Sequence, residues 1–402
     1  MPGSERAVGF GIIGCGRIGR WHASSLRAVP GTALVAVSDL DRGAREAFAR
    51  RFDARTCETP EALLQQPEIE VVSICTPPVS HVPLIEAAAR AGKHVLAEKP
   101  LALTPAAADR AIHACERAGV HLGAAHQQRA RSGSMALQAM IAAGAFGTAR
   151  VAVAFHGWHR PAAERTRDPW RGQPGAGGDL LLDQAVHAID LLVWFLGVPA
   201  WAMGASADEA PIQEAESVVA AIGFEGGALA VLAASTAANR MRDDIAIEFA
   251  GSRGGFRLEI RDYDHAEIAA LDLADGAGRA RRLGSDEIEA LVRRHGGAWR
   301  AGPHASLSRL LARIVGSERG AHPFRSPRAF LRRRLDRIAQ RETGELQGHA
   351  LLLARMAAAA RGTAAPLVSG AQARTSLAVI DAIQRSQAAG GQRVALAPAA
   401  AR

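Results

Sequence analysis

The chain has 402 residues and a formal net charge of +8, from 48 basic and 40 acidic side chains. This length predicts two domains, each able to bury a core. A hydrophobic fraction of 48% with 22% charged residues excludes wholesale disorder. Only Lys93 and Lys99 are lysines, so almost every basic side chain is an arginine. Because arginine suffices wherever a solvated charge is needed, each lysine calls for a chemical reason.

The positive charge is concentrated in residues 279–341, which contain 16 arginines against 5 acidic residues. One interpretation is contact with an anionic partner, such as a phosphate or uronate substrate, a nucleotide sugar or an acidic membrane surface. The other is one or two solvated amphipathic helices packed on the body, and the helical spacing of Leu307, Leu310 and Leu311 favours it. We find no helix-turn-helix, zinc-finger or aromatic-interleaved basic pattern, so we expect no nucleic-acid partner.

The cysteines and the distribution of apolar residues indicate in which cellular compartment the protein is found. The chain has four cysteines, Cys15, Cys57, Cys75 and Cys115. They are scattered without a CxxC pair, which is typical of a reducing cytoplasm. The N-terminus lacks a basic segment followed by an apolar run, and the most apolar stretch, residues 191–205, is too short to span a bilayer. We therefore expect a cytoplasmic protein without a signal peptide or transmembrane segment.

The first third of the chain alternates apolar runs with helical patterns. Strands are predicted at residues 8–13, 33–38, 71–75 and 94–97. Helices are predicted at residues 17–28, 42–52, 81–91 and 105–118. Since strands that alternate with helices of this length form parallel sheets, we predict an α/β fold that begins with a doubly wound Rossmann domain over residues 1–123.

The pattern changes near residue 124. Two pairs of apolar runs, 218–224 with 228–234 and 245–249 with 256–260, are separated by glycine-bearing loops, which predicts antiparallel hairpins. A long helix is predicted at the C-terminal end of the chain, over residues 371–387. We therefore predict a C-terminal α+β domain over residues 124–402 with a large open, mostly antiparallel sheet, and a basic helical insertion at about 266–341.

A glycine pattern follows the first predicted strand. Gly14, Gly16 and Gly19 fit G-x-G-x-x-G, and the next helix opens with Arg17 and Ile18 among them. The first glycine allows a tight turn, the second lets the backbone approach a pyrophosphate, and the third lets the helix approach the strand. The pyrophosphate would lie at the N-terminus of that helix.

The cofactor preference depends on Asp39, which ends the second predicted strand. Its carboxylate can accept hydrogen bonds from both ribose hydroxyls and would repel a 2′-phosphate, so NAD is expected. Arg42 and Arg45 are near enough in sequence to keep NADP open as an alternative.

Two segments follow later strands of the same sheet. Thr76 and Pro77 come after the strand at 71–75, and His81 begins the next helix, so this loop should flank the nicotinamide side. Lys99 comes directly after the strand at 94–97, which places its amine at the same edge. Lysine offers a compact donor that can lose a proton near neutrality, which arginine cannot.

A second polar group lies on one predicted helix. Asp179, Asp183, His187 and Asp190 fall on one stripe at helical spacing, on an otherwise apolar helix. Such a stripe is either a satisfied core network or the wall of a site. The Asp183 and His187 spacing lets a carboxylate tune an imidazole as a general base. A metal site with His156 or His159 as further donors is the alternative, but no HExxH or cysteine cluster supports it, so we expect no metal.

These motifs together resemble the Gfo/Idh/MocA family of nicotinamide-dependent sugar and cyclitol oxidoreductases. The matching segments are GCGRIG, TPPVSH, AEKP, GGDLLLDQAVHAID and PLVSGAQARTSLAVIDAIQRS, in that order. The resemblance covers residues 9 to about 251 and about 349 to 394. The basic segment has no clear place in the family pattern.

The resemblance implies a mechanism. Lys99 would be the catalytic lysine of the EKP motif, whose bond to Pro100 is often cis in the family. His187 would take the hydroxyl proton while a ring carbon loses hydride to nicotinamide, Asp183 would hold and tune that imidazole, and Lys99 would donate to the oxygen. By the same resemblance Glu98 and Gln127 would lie at the cofactor.

The resemblance also implies a substrate site and partners. Four residues occupy positions that often touch substrate: His126, Arg129, Trp170 and Arg171. The open sheet would build a homodimer or homotetramer. Two other functions stay open, an NAD-dependent glycoside-cleaving enzyme of the same family and a catalytically silent dinucleotide-binding regulator.

Overall fold

The computed structural model describes residues 6–158, 169–172, 175–207, 217–237, 245–261, 265–274, 280–284, 287–288, 290 and 346–396. Within these residues the strands form a six-stranded sheet and a nine-stranded sheet. The predicted fold class, a Rossmann sheet followed by a mostly antiparallel sheet, is confirmed.

The first sheet is parallel, in the order β3-β2-β1-β4-β5-β6. Its strands are β1 (Val8–Ile13), β2 (Thr32–Ser38), β3 (Arg55–Cys57), β4 (Val71–Ile74), β5 (His94–Ala97) and β6 (Leu122–Ala124). Its helices are α1 (Arg17–Leu26), α2 (Arg42–Phe52), α3 (Pro60–Leu64), α4 (His81–Arg90) and α5 (Pro105–Arg117). The core strands are buried on both faces, which is why their sequences read as continuous apolar runs.

Local signals set the helix boundaries of this sheet. The Asp41 carboxylate accepts the Ala44 amide at the start of α2, and Thr104 caps α5 in the same way, with Pro105 as first helical residue. Gly92 and Gly119, both at positive φ, follow the ends of α4 and α5. The elements missed from the sequence, β3, α3 and β6, have three to five residues and are too short to show a period.

The second sheet follows α6 (Ser132–Ala142) and has the order β14-β13-β12-β11-β7-β10-β9-β8-β15. Its strands are β7 (Ala149–Gly157), β8 (Pro199–Ala207), β9 (Ser217–Phe224), β10 (Leu229–Ser235), β11 (Ile245–Gly251), β12 (Gly254–Arg261), β13 (His265–Ala274), β14 (Ala280–Arg282) and β15 (Val394–Ala395). Both predicted hairpins, β9 with β10 and β11 with β12, are confirmed as antiparallel. β7 and β10 pair in parallel, at the centre of the sheet.

The two faces of this sheet differ. α7 (Val186–Leu196) packs against β7, and α9 (Gly370–Ala388) packs against β8 on the covered side. The other side, here called the outer face, carries large apolar side chains that are 38–57% exposed: Val151, Val153, Phe155, Met203, Val219, Leu229 and Val231. Alternation along β7 puts Ala152, Ala154 and His156 on the covered side instead.

The basic helical insertion predicted at about 266–341 needs correction at its start. Residues 265–274 and 280–282 are strands, because β13 pairs with β12 and β14 pairs with β13 at the edge of the sheet. Polar residues alternate with apolar ones only partly here, so the period-2 signal was weak. Nearly all the rest of the basic segment lies outside the described residues.

A further helix, α8 (His349–Ala360), belongs by sequence to the second half of the chain but packs on the first sheet, against α1 and β5. This placement brings the C-terminal region beneath the turn that carries Lys99. Among the described residues, no helix is both long and apolar enough to cross a membrane.

Candidate active site

The glycine loop has the geometry of a dinucleotide site. Gly14 has φ +101°, and a Cβ there would lie 2.7 Å from the Cys75 backbone, so only glycine fits. Gly16 is the N-cap of α1 and contributes no side chain, and the first turn of α1 holds no acidic residue. The amides at this helix end are thus open to an anion, which fits a pyrophosphate.

Asp39 lies beside this loop, at the end of β2. Its Oδ2 accepts the Cys15 amide at 2.6 Å and its Oδ1 accepts the Asp41 amide at 2.8 Å. The carboxylate is only half-buried and keeps further lone pairs, so it can also accept ribose hydroxyls. Arg45 is buried and donates to the Asp39 carbonyl at 2.8 Å. Arg42 is exposed and donates to Glu46 at 2.7 Å.

His81 joins two loops rather than facing outward. Its Nδ1 lies 2.8 Å from the Pro100 carbonyl and its Nε2 lies 2.9 Å from the Thr76 carbonyl. The ring is fully buried, and burial lowers its pKa although both carbonyls act to raise it. The Thr76 hydroxyl accepts from Ser80 at 2.7 Å, so Thr76 and the exposed Pro77 form a well-supported loop at the sheet edge.

Lys99 and Asp183 form the centre of the site. The Lys99-Pro100 bond is cis. The Lys99 ammonium lies 3.2 Å from Asp183 Oδ1 and also donates to the Asp183 carbonyl. Asp183 Oδ2 accepts from Arg171 and from Gln184 Nε2, the latter at 3.1 Å. One buried carboxylate therefore faces two cations, one from the turn after β5 and one from the segment that precedes Gly178.

The polar stripe of the sequence divides into separate groups in the structure. Residues Leu180–Ala185 form a π-helix before α7, and its wider turns change the side-chain directions assumed from helical spacing. Asp179 is the N-cap and accepts the Leu182 amide at 3.0 Å. Burial raises the Asp179 pKa, and the nearby Asp183 charge adds to this.

Asp190 belongs to a satisfied buried network. Arg129 donates to both of its oxygens at 2.7 Å, and the Ser376 hydroxyl donates at 2.9 Å. His126 Nδ1 lies 3.5 Å away. Burial would raise the pKa of Asp190, but Arg129 holds it below its usual range. Arg129 is 3% exposed, and the structure thus places it on a carboxylate of its own chain.

The charge of Lys99 acts on three buried imidazoles, His126, His156 and His187. Burial first, and then the Lys99 charge, hold the pKa of His187 well below its ordinary value. Burial with the Lys99 charge lowers the pKa of His156 to about 3. Neutral His187 can accept a proton, as a general base must. The sequence suggested His156 only as a possible metal donor. Its position on the covered side of β7 follows from the burial pattern of that strand.

Trp170, Arg171 and Gln127, also predicted at the site, have the following contacts. Trp170 lies beneath the Arg171 guanidinium, 4.6 Å from ring centre to Cζ. Gly178 permits this, because a Cβ there would lie 2.5 Å from the Arg171 backbone. Gln127 is buried, and among the described residues its Oε1 has no hydrogen-bond partner, as expected of an acceptor that a bound group would satisfy.

Glu98 is buried in contacts that the sequence did not reveal. Its Oε1 lies 2.9 Å from His22 Nε2 and 3.2 Å from His349 Nε2. Its Oε2 accepts the Lys99 backbone amide at 3.2 Å. His22 could have been noticed as a lone histidine on the buried side of α1, but nothing in the sequence relates it to a residue 327 positions later.

Comparison with known proteins gives two family matches. Residues 8–126 match the model described as "Oxidoreductase family, NAD-binding Rossmann fold", and residues 134–257 match the GFO/IDH/MocA C-terminal domain. Among relatives, an inositol 2-dehydrogenase of Rubrobacter xylanophilus is 32% identical over 201 residues, 49% of this chain and 54% of that protein. A 1,5-anhydro-D-fructose reductase of Ensifer adhaerens is 33% identical over 227 residues, 55% of this chain and 67% of that protein. The alignment thus spans about half of the first of these two relatives.

Solved structures resemble the whole chain. The WlbA dehydrogenase of Bordetella pertussis, in complex with NADH and UDP-GlcNAcA, superposes with a TM-score of 0.77 at 23% identity, covering 99% of this chain and all of that one. A levoglucosan dehydrogenase in complex with NADH gives a TM-score of 0.76 at 21% identity, with 98% and 100% coverage. At these identities the likeness establishes the fold.

Proposed function

We propose that this chain, which belongs to the Gfo/Idh/MocA family of oxidoreductases with an NAD-binding Rossmann domain, transfers a hydride between NAD and a secondary hydroxyl or keto carbon of a sugar, cyclitol or sugar derivative. The observation that carries the proposal is the position of Lys99. Its ammonium is held against Asp183, close enough to His187 for its charge to lower the imidazole pKa, at the sheet edge where the glycine loop opens.

The chain's own groups can carry the proton chemistry. When bound, NAD supplies the nicotinamide carbon that accepts hydride. Neutral His187 accepts the hydroxyl proton, while the Lys99 ammonium donates to the oxygen on which charge develops. Asp183 orients the two cations Lys99 and Arg171, while the tuning of His187 by Asp183 that was inferred from the sequence stays a prediction. Low exposure of these side chains strengthens each interaction.

Cofactor binding draws on the loop residues. Gly14, Gly16 and Gly19 shape the pyrophosphate cradle, with Arg17 and Ile18 at the first turn of α1. Asp39 takes the ribose. NAD is favoured because the Arg45 guanidinium donates to the carbonyls of Asp39 and Glu58. Arg42, which donates to Glu46, is then the nearby cation that a 2′-phosphate could meet. We place Thr76, Pro77 and Gln127 at the nicotinamide end of the cofactor. Glu98 and His81 are buried and support these loops through hydrogen bonds.

The substrate class follows from relatives named as inositol dehydrogenases and an anhydrofructose reductase. Trp170 and Arg171 would present an aromatic face and a cation to it, and His126 stays a further candidate contact. The test is NADH formation across a panel of cyclitols, hexoses, uronates and nucleotide sugars. Turnover of one class supports the proposal. Glycoside cleavage without net NADH would favour the glycoside-cleaving alternative, and NAD binding without turnover of any compound would favour the silent regulator.

We also propose that the outer face of the second sheet joins two copies of the chain as a homodimer, or as a homotetramer built from such pairs. Its seven exposed apolar side chains form neighbouring rows, since Val151 pairs with Leu229 and Val153 with Val231. Contiguous apolar surface of this kind marks an interaction site.

Residues 1–123 would serve as the nucleotide-binding unit and 124–402 as the substrate and assembly unit. Four free cysteines support a cytoplasmic location.

A further inference from the structure

Glu98, His22 and His349 form a buried cluster, here called the glutamate cluster, beneath the turn that carries Lys99. The three side chains come from distant parts of the chain: His22 from α1, Glu98 from the turn after β5 and His349 from the first residue of α8. Their exposures are 0%, 5% and 6%, so each polar atom must be satisfied inside the protein.

The contacts within the cluster converge on one carboxylate. Both imidazole Nε2 atoms lie within 3.2 Å of Glu98 Oε1. His22 Nδ1 lies 3.2 Å from the Ser73 hydroxyl, and the His349 ring packs edge-on against Trp21 at 5.9 Å. Burial alone would raise the pKa of Glu98, but the two imidazole hydrogen bonds hold it well below its usual range. Glu98 is thus kept ionised although it is almost entirely buried.

The residues on both sides of Lys99 are fixed by histidines. Glu98 precedes it and is held by His22 and His349, and the Lys99 amide donates to Glu98 Oε2. Pro100 follows it, and its carbonyl is bonded by His81. The Lys99 backbone therefore cannot shift without breaking buried hydrogen bonds, whose polar groups would be left unsatisfied.

We propose that His349, acting through Glu98, is a positioning residue for the Lys99 ammonium. The proposal rests on the proposed function, because it assumes that Lys99 acts in turnover. His349 contacts Glu98 and not the reacting atoms, so it affects the reaction by fixing the peptide from which Lys99 extends. Helix α8 thereby becomes part of the active-site support, although His349 lies 251 positions from Glu98 in the sequence.

The alternative is that His22, Glu98 and His349 bind a metal cation, since their three ligand atoms lie within 4.8 Å of one another. The distances of 2.9 and 3.2 Å between the imidazole nitrogens and one carboxylate oxygen are those of hydrogen bonds. Ser73 on the second nitrogen of His22 completes a network that needs no ion.

The test compares two substitutions of His349 in the full-length protein. His349→Gln keeps a side-chain amide that can reach Glu98, whereas His349→Asn is one methylene shorter and cannot. We expect His349→Asn to lower kcat by about 10- to 100-fold, with the Kd for NAD and the KM for substrate within about twofold of the parent. His349→Gln should recover most of the lost kcat. His94→Gln, at the opposite end of the same strand β5, is the matched control and should leave kcat unchanged.

A double-mutant cycle shows whether the effect passes through Lys99. In a Lys99→Ala background, single-turnover hydride transfer should not fall further when His349→Asn is added. An equal loss in both backgrounds, or an unchanged kcat for His349→Asn alone, would overturn the positioning role. So would one equivalent of a divalent metal that is found by elemental analysis in the purified protein and is lost in His349→Asn. Full turnover by Lys99→Ala alone would instead remove the proposed function.

Discussion

The Lys99 ammonium lies 3.2 Å from Asp183 Oδ1, and this contact joins the edge of the Rossmann sheet to the π-helix that precedes α7. The two residues are 84 positions apart. Both are nearly buried, with side-chain exposures of 14% and 4%. An ion pair in such a place is worth more in orientation than in stability, because its desolvation offsets most of its Coulomb energy.

The first prediction concerns this pair. Lys99→Ala and Lys99→Arg should each lower kcat by about 10²–10³-fold, because Ala removes the donor and the Arg fork cannot occupy the place of a compact ammonium. NAD binding, followed by fluorescence titration, should persist in both. Lys93→Arg is the control at the other lysine. Retained turnover in Lys99→Ala would take the residue out of the mechanism.

The second prediction is a pH dependence. Burial and the Lys99 charge lower the His187 pKa from 6.5, so the ring stays neutral, and able to accept a proton, down to well below that pH. The acidic limb of the kcat/KM profile should therefore lie below pH 6.5. Lys99→Met removes one cation, so the pKa should rise and the His187 ring should titrate at higher pH. Imidazole NMR signals assigned through His187→Gln would follow it. A downward shift in Lys99→Met would contradict the charge assignment.

The third prediction separates a packing role of Arg129 from the substrate contact expected from the sequence. Arg129→Ala leaves the buried Asp190 carboxylate without its bidentate partner, which should lower the free energy of unfolding by about 3–5 kcal/mol. Urea titration measures this. Arg374→Ala, which breaks a more exposed bidentate pair with Asp109, should cost about 1 kcal/mol or less. A raised KM with unchanged stability would favour the substrate role.

The fourth prediction concerns the cofactor. Asp39→Ser removes the negative charge that opposes a 2′-phosphate, while Arg42 remains exposed nearby. The ratio of kcat/KM for NAD to that for NADP should fall by about 10-fold or more, which corresponds to about 1.4 kcal/mol. Arg45→Lys, which changes a side chain bonded to backbone carbonyls, should move the ratio much less. A parent protein that already prefers NADP would show the ribose assignment to be wrong.

The fifth prediction concerns assembly. Val153 and Val231 are neighbours on β7 and β10, and both side chains are more than 40% exposed on the outer face. Val153→Glu with Val231→Glu should place two charges in the interface and shift the protein to a monomer by light scattering after gel filtration. Val198→Glu, in the turn before β8 at 52% exposure, is the control. A parent that is already monomeric would end the proposal.

The two lysines show how much residue type alone could predict about a side chain's contacts. Lys99 was expected at the site, and the structure gives it one buried charged partner, the Asp183 carboxylate. Lys93 was interpreted only as a helix-end cation. Its ammonium donates to the carbonyls of Gln66 and Ile69 at 2.9 and 2.8 Å, so one compact donor closes the loop before β4. A backbone contact of this kind leaves no pattern in the sequence.

Local spacing and runs of apolar residues were sufficient to predict the Rossmann sheet, the glycine loop, the hairpins and the motifs that contain Lys99, Asp183 and His187. The contacts of the polar side chains depended instead on how distant elements pack. The π-turn separated Asp179, Asp183 and Asp190 into a cap, a site carboxylate and a core ion pair. The packing of α8 on the first sheet brought His349 to Glu98. Contacts between distant segments depend on how elements pack, and this information does not lie in any one stretch of sequence.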